Sequence, residues 1–190
     1  VKRTAAASAL ASSFLSREES STLLMIGTGV LAPHLIAAHA SVRPINEVLV
    51  WGRNFEKAQV ITKQFKDANF GIKAIKQIEK GVEVADIISC ATLSTEPLIL
   101  GKWLKKGQHI DLVGSYLPHA READDEVIRR AIIFVDTLEG ATKESGDIVI
   151  PLQKGISQLA NIQADLFGLC RKQHLGRRSK EEITIFKSVG

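Results

Sequence analysis

The chain has 190 residues, 45% of them hydrophobic and 24% charged, enough apolar content for one folded core and too little charge for a disordered polymer. Its 25 basic and 21 acidic residues leave a formal net charge of +4. The densest cluster, Arg171-Lys172-Gln173-His174 with Arg177-Arg178, lacks interleaved aromatics and reads as a solvated loop, not a nucleic-acid interface.

The longest apolar runs are far shorter than a membrane span, and nothing resembles a signal peptide, so no membrane is expected. Cys90 and Cys170 stand at no metal-ligand spacing and in apolar contexts, which predicts buried free thiols, no metal site and a cytoplasmic protein. The sequence begins at Val1 and stops after a strand pattern at Ser188-Val189-Gly190, which suggests a fragment.

In chain order, residues 5–15 have helical composition with a possible cap at Thr4, and 16–21 read as a loop. Residues 22–26 form an apolar strand, followed by a helix that runs to about His39 and tolerates Pro33 in its first turn. Glu47–Trp51 is a second strand, 55–69 a helix and 72–75 a short strand. Further strands are expected at 85–91, 109–113 and 132–135, with a helix over about 122–130 before the last of these. A helix over 156–170, a basic loop and a strand at 183–186 complete the chain. Strands alternating with helices predict an α/β fold of the Rossmann type, a doubly wound and mainly parallel sheet with helices on both faces. Its functional loops should follow the carboxyl ends of the strands.

The strand at 22–26 runs into Gly27-Thr28-Gly29-Val30-Leu31-Ala32, a G-x-G-x-x-A turn that opens a helix. Gly27 permits the tight turn, Gly29 allows close approach of a pyrophosphate, and Ala32 lets helix and strand pack closely. Free amides and the positive dipole end of the helix beginning near Val30 then face the anion, with Leu31 also expected at the cofactor. The second strand ends in Trp51-Gly52-Arg53-Asn54, where an Asp or Glu would bond the ribose hydroxyls of NAD. Arg53 stands there instead, and a guanidinium suits a 2′-phosphate, with Asn54 as a second donor. NADP, as NADPH, is therefore the expected cofactor; Glu56 nearby keeps NAD possible.

These and other landmarks resemble the ornithine cyclodeaminase and mu-crystallin family. They are Arg3-Thr4-Ala5-Ala6, Gly27-x-Gly29-x-x-Ala32, Trp51-Gly52-Arg53, Ala85-Asp86-Ile87 with Ala91-Thr92, Val113-Gly114-Ser115, Pro118 with Arg121-Glu122, Gly146-Asp147 and Phe186-Lys187-Ser188-Val189-Gly190. The resemblance implies that residues 21–155 are the nucleotide-binding domain. Residues 1–20 would then lead in from a substrate and dimerisation domain largely absent from this chain, and 156–190 would return towards it. A homodimer through that domain is implied.

The resemblance places Arg3 at the substrate carboxylate and the nicotinamide end of the cofactor, with Thr4 beside it. Thr92 and Ser188 correspond to cofactor contacts, Val113, Gly114, Ser115 and Tyr116 to the loop under the nicotinamide, and Val189 to a residue by the substrate. For Thr92 and Ser188, local turn or cap bonding is the alternative. In true ornithine cyclodeaminases the loop reads Gly-Gly-Asp, and the aspartate handles protons; here it is Gly114-Ser115-Tyr116. A phenol is a poor general base near neutral pH but can donate a proton, and Tyr116 could equally be a packing residue.

The family's shared chemistry is hydride transfer between nicotinamide and an α-carbon bearing nitrogen and a carboxylate. The first expectation is therefore an NADPH-dependent reductase of a cyclic imino acid of the 1-pyrroline-2-carboxylate type, forming proline or a homologue. Ornithine cyclodeamination with NAD and alanine dehydrogenation are the enzymatic alternatives, and a non-catalytic NADP-binding regulatory protein is the alternative of another class.

Overall fold

The computed structural model describes residues 1–189. Its elements in chain order are α1 (Lys2–Leu15), β1 (Thr22–Ile26), α2 (Leu31–Val42), β2 (Glu47–Trp51), α3 (Phe55–Lys63), β3 (Gly71–Ala74), α4 (Ile78–Val84), β4 (Ile87–Cys90) and β5 (His109–Leu112). There follow α5 (Asp125–Arg130), β6 (Ala131–Val135), α6 (Leu138–Glu144), α7 (Gly146–Gln153), β7 (Ile162–Asp165), α8 (Leu166–Cys170) and β8 (Ile183–Lys187). The eight strands form one sheet in the order β3-β2-β1-β4-β5-β8-β6-β7, and every pair is parallel. Strand order runs outward in one direction from β1 and in the other from β4, which places a switch point between them.

With Ser89, His109, Asp111, Thr184 and Lys187 as buried polar exceptions, the central strands are mostly apolar where the sheet is covered on both faces. The pleat divides them: Leu23 and Met25 of β1 enter the core under α2, whereas Leu24 and Ile26 enter the opposite core with Ile88, Ile110, Leu112 and Ile185. Helix α1 packs on α2 and over β5 and β8. The Thr184 hydroxyl donates to the Leu15 carbonyl at 2.9 Å, while Ala5 packs in the core that contains Val113. Helix α1 therefore runs against the strands, and its first turn lies at their carboxyl ends.

Several boundaries differ from the sequence reading. Helix α1 starts at Lys2 because Ala5 N–H closes the first turn on the Val1 carbonyl at 3.1 Å, so Thr4 lies within the helix and is not its cap. Helix α3 stops at Lys63 in successive turns, six residues before the expected end. Asp124 caps α5 by accepting from Val127 N–H, which leaves residues 121–123 outside the helix, with Ala123 in a bridge to Ile99.

The largest correction concerns 156–170. There a capping turn between Gln158 and Asn161 breaks the helix, β7 pairs with the edge of β6, and Asp165 caps the short α8. Strand pairing and two local caps override the helical periodicity. Helices α4, α6 and α7 had no counterpart in the sequence reading.

Two surface expectations also change. Cys90 is buried but Cys170, at the end of α8, is exposed. Arg177 is partly buried and not a free solvated charge: its guanidinium donates to the carbonyls of Leu15 at 2.7 Å and Gln108 at 3.1 Å, tying α1 to the sheet. Burial pushes it down to about 10. Among the described residues no helix is long and apolar enough to cross a membrane, and no group of His, Cys, Asp and Glu could hold a metal ion.

Candidate functional site

The cleft originates in one turn. Gly27 has a φ of +118°, and a Cβ there would stand 2.5 Å from the Ala91 carbonyl oxygen, so only glycine fits. Gly29 differs: a Cβ would meet no heavy atom within 4 Å, so packing within the described residues does not require glycine there. Helix α2 begins two residues later with no side-chain cap. The first amides of a helix have no intrahelical acceptor. This helix start thus offers N–H donors and a positive dipole end to an anion.

Around it opens a cleft of about 570 Å³ at the carboxyl ends of β1, β2, β4 and β5. The first turn contributes Gly27, Gly29, Val30 and Leu31, the end of β2 contributes Trp51, Arg53 and Asn54, and the loops after β4 and β5 contribute Thr92, Val113, Gly114 and Tyr116. No carboxylate is among the lining residues. Arg53 and Lys57 both line it, and neither side chain makes an ion pair or hydrogen bond among the described residues. Asn54 caps α3 through its carbonyl oxygen, which accepts from Lys57 N–H at 2.9 Å, and only its amide nitrogen is left to donate. An uncapped helix start, an open glycine and two unpaired cations fit an anionic dinucleotide.

Five residues singled out from the sequence do not line the cleft. Arg3 and Thr4 sit on the first turn of α1, at the same end of the sheet, with Arg3 exposed. Ser115 adopts a φ of +48°, in the left-handed region, and turns its hydroxyl inward to the Ala120 carbonyl at 2.8 Å. Ser188 lies one strand beyond β5, its N–H donating to the Leu112 carbonyl and its hydroxyl to Asp136 at 3.1 Å. Val189 N–H also donates to Asp136, at 2.8 Å. Tyr116 is about half exposed in the cleft, with a relative exposure of 48%.

The sequence reading missed Lys57, although an Asn-x-x-Lys spacing at a helix start places the lysine one turn beyond Arg53. It also gave no role to the charged groups behind the inner wall, which stood there only as landmarks of the family resemblance. Glu122, Asp147 and Lys187 are all fully buried. Glu122 Oε1 accepts from Thr92 N–H at 2.7 Å and from the Thr92 hydroxyl at 2.8 Å. Lys187 Nζ donates to the Gly114 carbonyl, and Asp147 Oδ1 accepts from Glu122 N–H at 2.9 Å and Ala123 N–H at 3.0 Å. A Cβ on Gly114 would collide with the Thr92 carbonyl and the Glu122 carboxylate. Burial pushes Glu122 up to about 7, Lys187 opposing and Asp147 adding to the rise. The available signal was a charged residue at the edge of each of two apolar runs, Gly146-Asp147-Ile148-Val149-Ile150 and Ile183-Thr184-Ile185-Phe186-Lys187.

A second buried polar network lies under α1 and α2, away from the cleft. Asp111 Oδ2 accepts from the Ser89 hydroxyl at 2.7 Å and lies 3.2 Å from His39 Nε2. Burial alone would raise Asp111, but the bonds and charge of His39 with the Ser89 hydroxyl outweigh it and hold it below the usual carboxylate range. Burial pushes His109 down to about 3, so its ring stays neutral.

Fold and cleft together define a Rossmann-type α/β unit with an anion-ready cleft at the switch point of its sheet. The sequence profile of the ornithine cyclodeaminase/mu-crystallin family matches residues 1–190, and the chain belongs to that family. It is 40% identical to a Delta(1)-pyrroline-2-carboxylate reductase of Colwellia psychrerythraea, over 99% of this chain and 60% of that protein. With the ketimine reductase mu-crystallin of Rattus norvegicus it shares 34% identity, over 100% of this chain and 56% of the other. The structure of Thermococcus litoralis Delta(1)-pyrroline-2-carboxylate reductase in complex with NADH and L-proline superposes with a TM-score of 0.96 at 37% identity, covering 99% of this chain and 58% of that one. The chain thus spans about three fifths of the length of these relatives.

Proposed function

We propose that this chain is the nicotinamide-dinucleotide-binding part of a reductase that converts a cyclic imino acid of the 1-pyrroline-2-carboxylate type into the corresponding amino acid, with NADPH preferred to NADH. The observation that carries this reading is the cleft at the start of α2, lined by two unpaired cations and no acid. Relatives named for reduction of that imine, one of them holding NADH and L-proline, support the substrate class.

Bound NADPH would supply the hydride for the C=N carbon. The chain's residues divide the remaining work. Gly29 and the first amides of α2 would hold the pyrophosphate, while Arg53 and Lys57 would meet the 2′-phosphate with charge-assisted hydrogen bonds. Thr92, Val113 and Gly114 would bound the nicotinamide half, and the Tyr116 phenol can donate a proton to the imine nitrogen as the C=N bond is reduced. Arg3, exposed on α1 at the same end of the sheet, would pair with the substrate carboxylate and Thr4 would support it. Ser188 and Val189 would complete that side from the end of β8, with Ser115 shaping the loop between Gly114 and Tyr116. We read the whole protein as cytoplasmic and homodimeric.

Steady-state assays on the protein that carries this chain separate the chemistries. NADPH should be consumed with 1-pyrroline-2-carboxylate or 1-piperideine-2-carboxylate, with proline or its six-membered homologue formed. Turnover of ornithine with NAD and release of ammonia, with no imine reduction, would overturn the reading.

A further inference from the structure

Three buried charges sit directly behind the part of the cleft assigned above to the nicotinamide. We propose that Glu122, held with Asp147 and Lys187 behind Thr92 and Gly114, is a positioning residue whose gain or loss of one proton sets how the cleft discriminates oxidised from reduced nicotinamide. The inference rests on the reading of the cleft as a nicotinamide-dinucleotide site.

The geometry separates two tasks within one carboxyl group. Glu122 Oε1 holds the Thr92 peptide and hydroxyl at 2.7 and 2.8 Å, whereas Oε2 is buried with no hydrogen-bond partner among the described residues. A proton on Oε2 changes the charge while Oε1 keeps the wall in place. The groups facing Glu122 are Asp147 from α7, Lys187 from β8, and Cys90 and Thr92 from β4 and the loop after it. Cys90 is fully buried, and burial pushes its thiol well up, so it stays neutral. Asp147 Oδ2 likewise has no hydrogen-bond partner among the described residues and lies 3.9 Å from Lys187 Nζ.

With both carboxylates ionised the cluster carries one net negative charge, and with Glu122 protonated it carries none. The position of Glu122, at about 7, puts this change at neutral pH. An oxidised nicotinamide ring is cationic and a reduced one is neutral, while pyrophosphate and riboses are the same in both. A buried charge behind the ring therefore acts on the ratio of the two affinities, and charges elsewhere that act on the phosphates cancel from it.

The test measures Kd for NADP and NADPH on the whole protein from about pH 6 to about pH 8. It uses wild type, Glu122→Gln and Asp147→Asn, each first checked for a cooperative melt. In wild type the ratio should move towards the oxidised form by about fivefold as pH rises, the part sampled over this range of the roughly fifteenfold effect of one unit charge ~10 Å away at an effective dielectric near 20. Glu122→Gln should flatten the profile. Asp147→Asn, which removes a charge that raises Glu122, should move its midpoint to lower pH and decides the matter if the glutamine variant does not fold. A flat wild-type ratio, or one that titrates unchanged in either variant, overturns the inference alone. Binding of neither dinucleotide at any pH overturns the reading of the cleft as well.

Discussion

Glu122→Gln should change how stability depends on pH, by an amount the structure sets. Burial raises Glu122 from an ordinary glutamate's 4.5 to about 7 in the folded chain. The folded state therefore holds a proton that the unfolded state has released, throughout the interval between those values. Stability must fall as pH rises across that interval. At 1.36 kcal/mol per unit the loss is about 3 kcal/mol, complete above pH ~7. Glutamine has the same size and no charge to bury, so the variant lacks this slope.

His109 runs the other way over an overlapping range, and it is present in both proteins. The informative quantity is therefore the difference in unfolding free energy, variant minus wild type. It should grow by about 3 kcal/mol between pH ~4 and ~8, whatever its starting level. Urea unfolding at constant ionic strength, followed by circular dichroism and tryptophan fluorescence, measures it and tests for a two-state transition. A difference that stays constant with pH, or shrinks as pH rises, would refute a buried, raised glutamate.

Other outcomes follow from the same residues. Arg53→Ala should weaken NADPH by about tenfold to a hundredfold, the loss of a charged hydrogen-bonding partner, and leave NADH almost unchanged; parallel fluorescence titrations check it, and an unchanged affinity ratio removes the 2′-phosphate argument. Gly29→Ala should melt like wild type yet bind dinucleotide at least tenfold more weakly, whereas Gly27→Ala, with a φ of +118° and the Ala91 carbonyl in the way, should lower the melting temperature itself. His109, held at about 3 by burial, should cost wild type up to about 5 kcal/mol as pH falls from 6.5 to 3, because only the unfolded chain takes up that proton. His109→Gln should show a shallower acid limb in the same urea series.

Much of the fold was legible in local pattern. The apolar run at 22–26, the glycines after it and the spacing of the later strands place the parallel sheet and its switch point, because a doubly covered sheet favours mostly apolar central strands. What failed was decided by partners distant in sequence. Residues 162–165 become β7 only because the β6 edge is open to them, and Arg177 is drawn partly out of solvent by carbonyls at Leu15 and Gln108. The cleft was legible where its residues are contiguous, from Gly27 to Leu31 and from Trp51 to Asn54. The cluster behind it was not, since Cys90, Glu122, Asp147 and Lys187 come from four separate segments and meet only once the sheet is assembled. Ser115 shows the same limit on a smaller scale: its sequence neighbours suggest a loop residue facing ligand, but a left-handed backbone turns the side chain to the Ala120 carbonyl.

The central claim is that the cleft presents a nicotinamide to a cyclic imine, and isotope transfer tests it most directly. The whole protein would be supplied with NADPH deuterated on the transferring face of the ring, together with 1-pyrroline-2-carboxylate, and the product analysed by mass spectrometry. One deuterium at the α-carbon of proline is the expected result. Proline formed without label, or no proline while the same preparation releases ammonia from ornithine, would contradict the account.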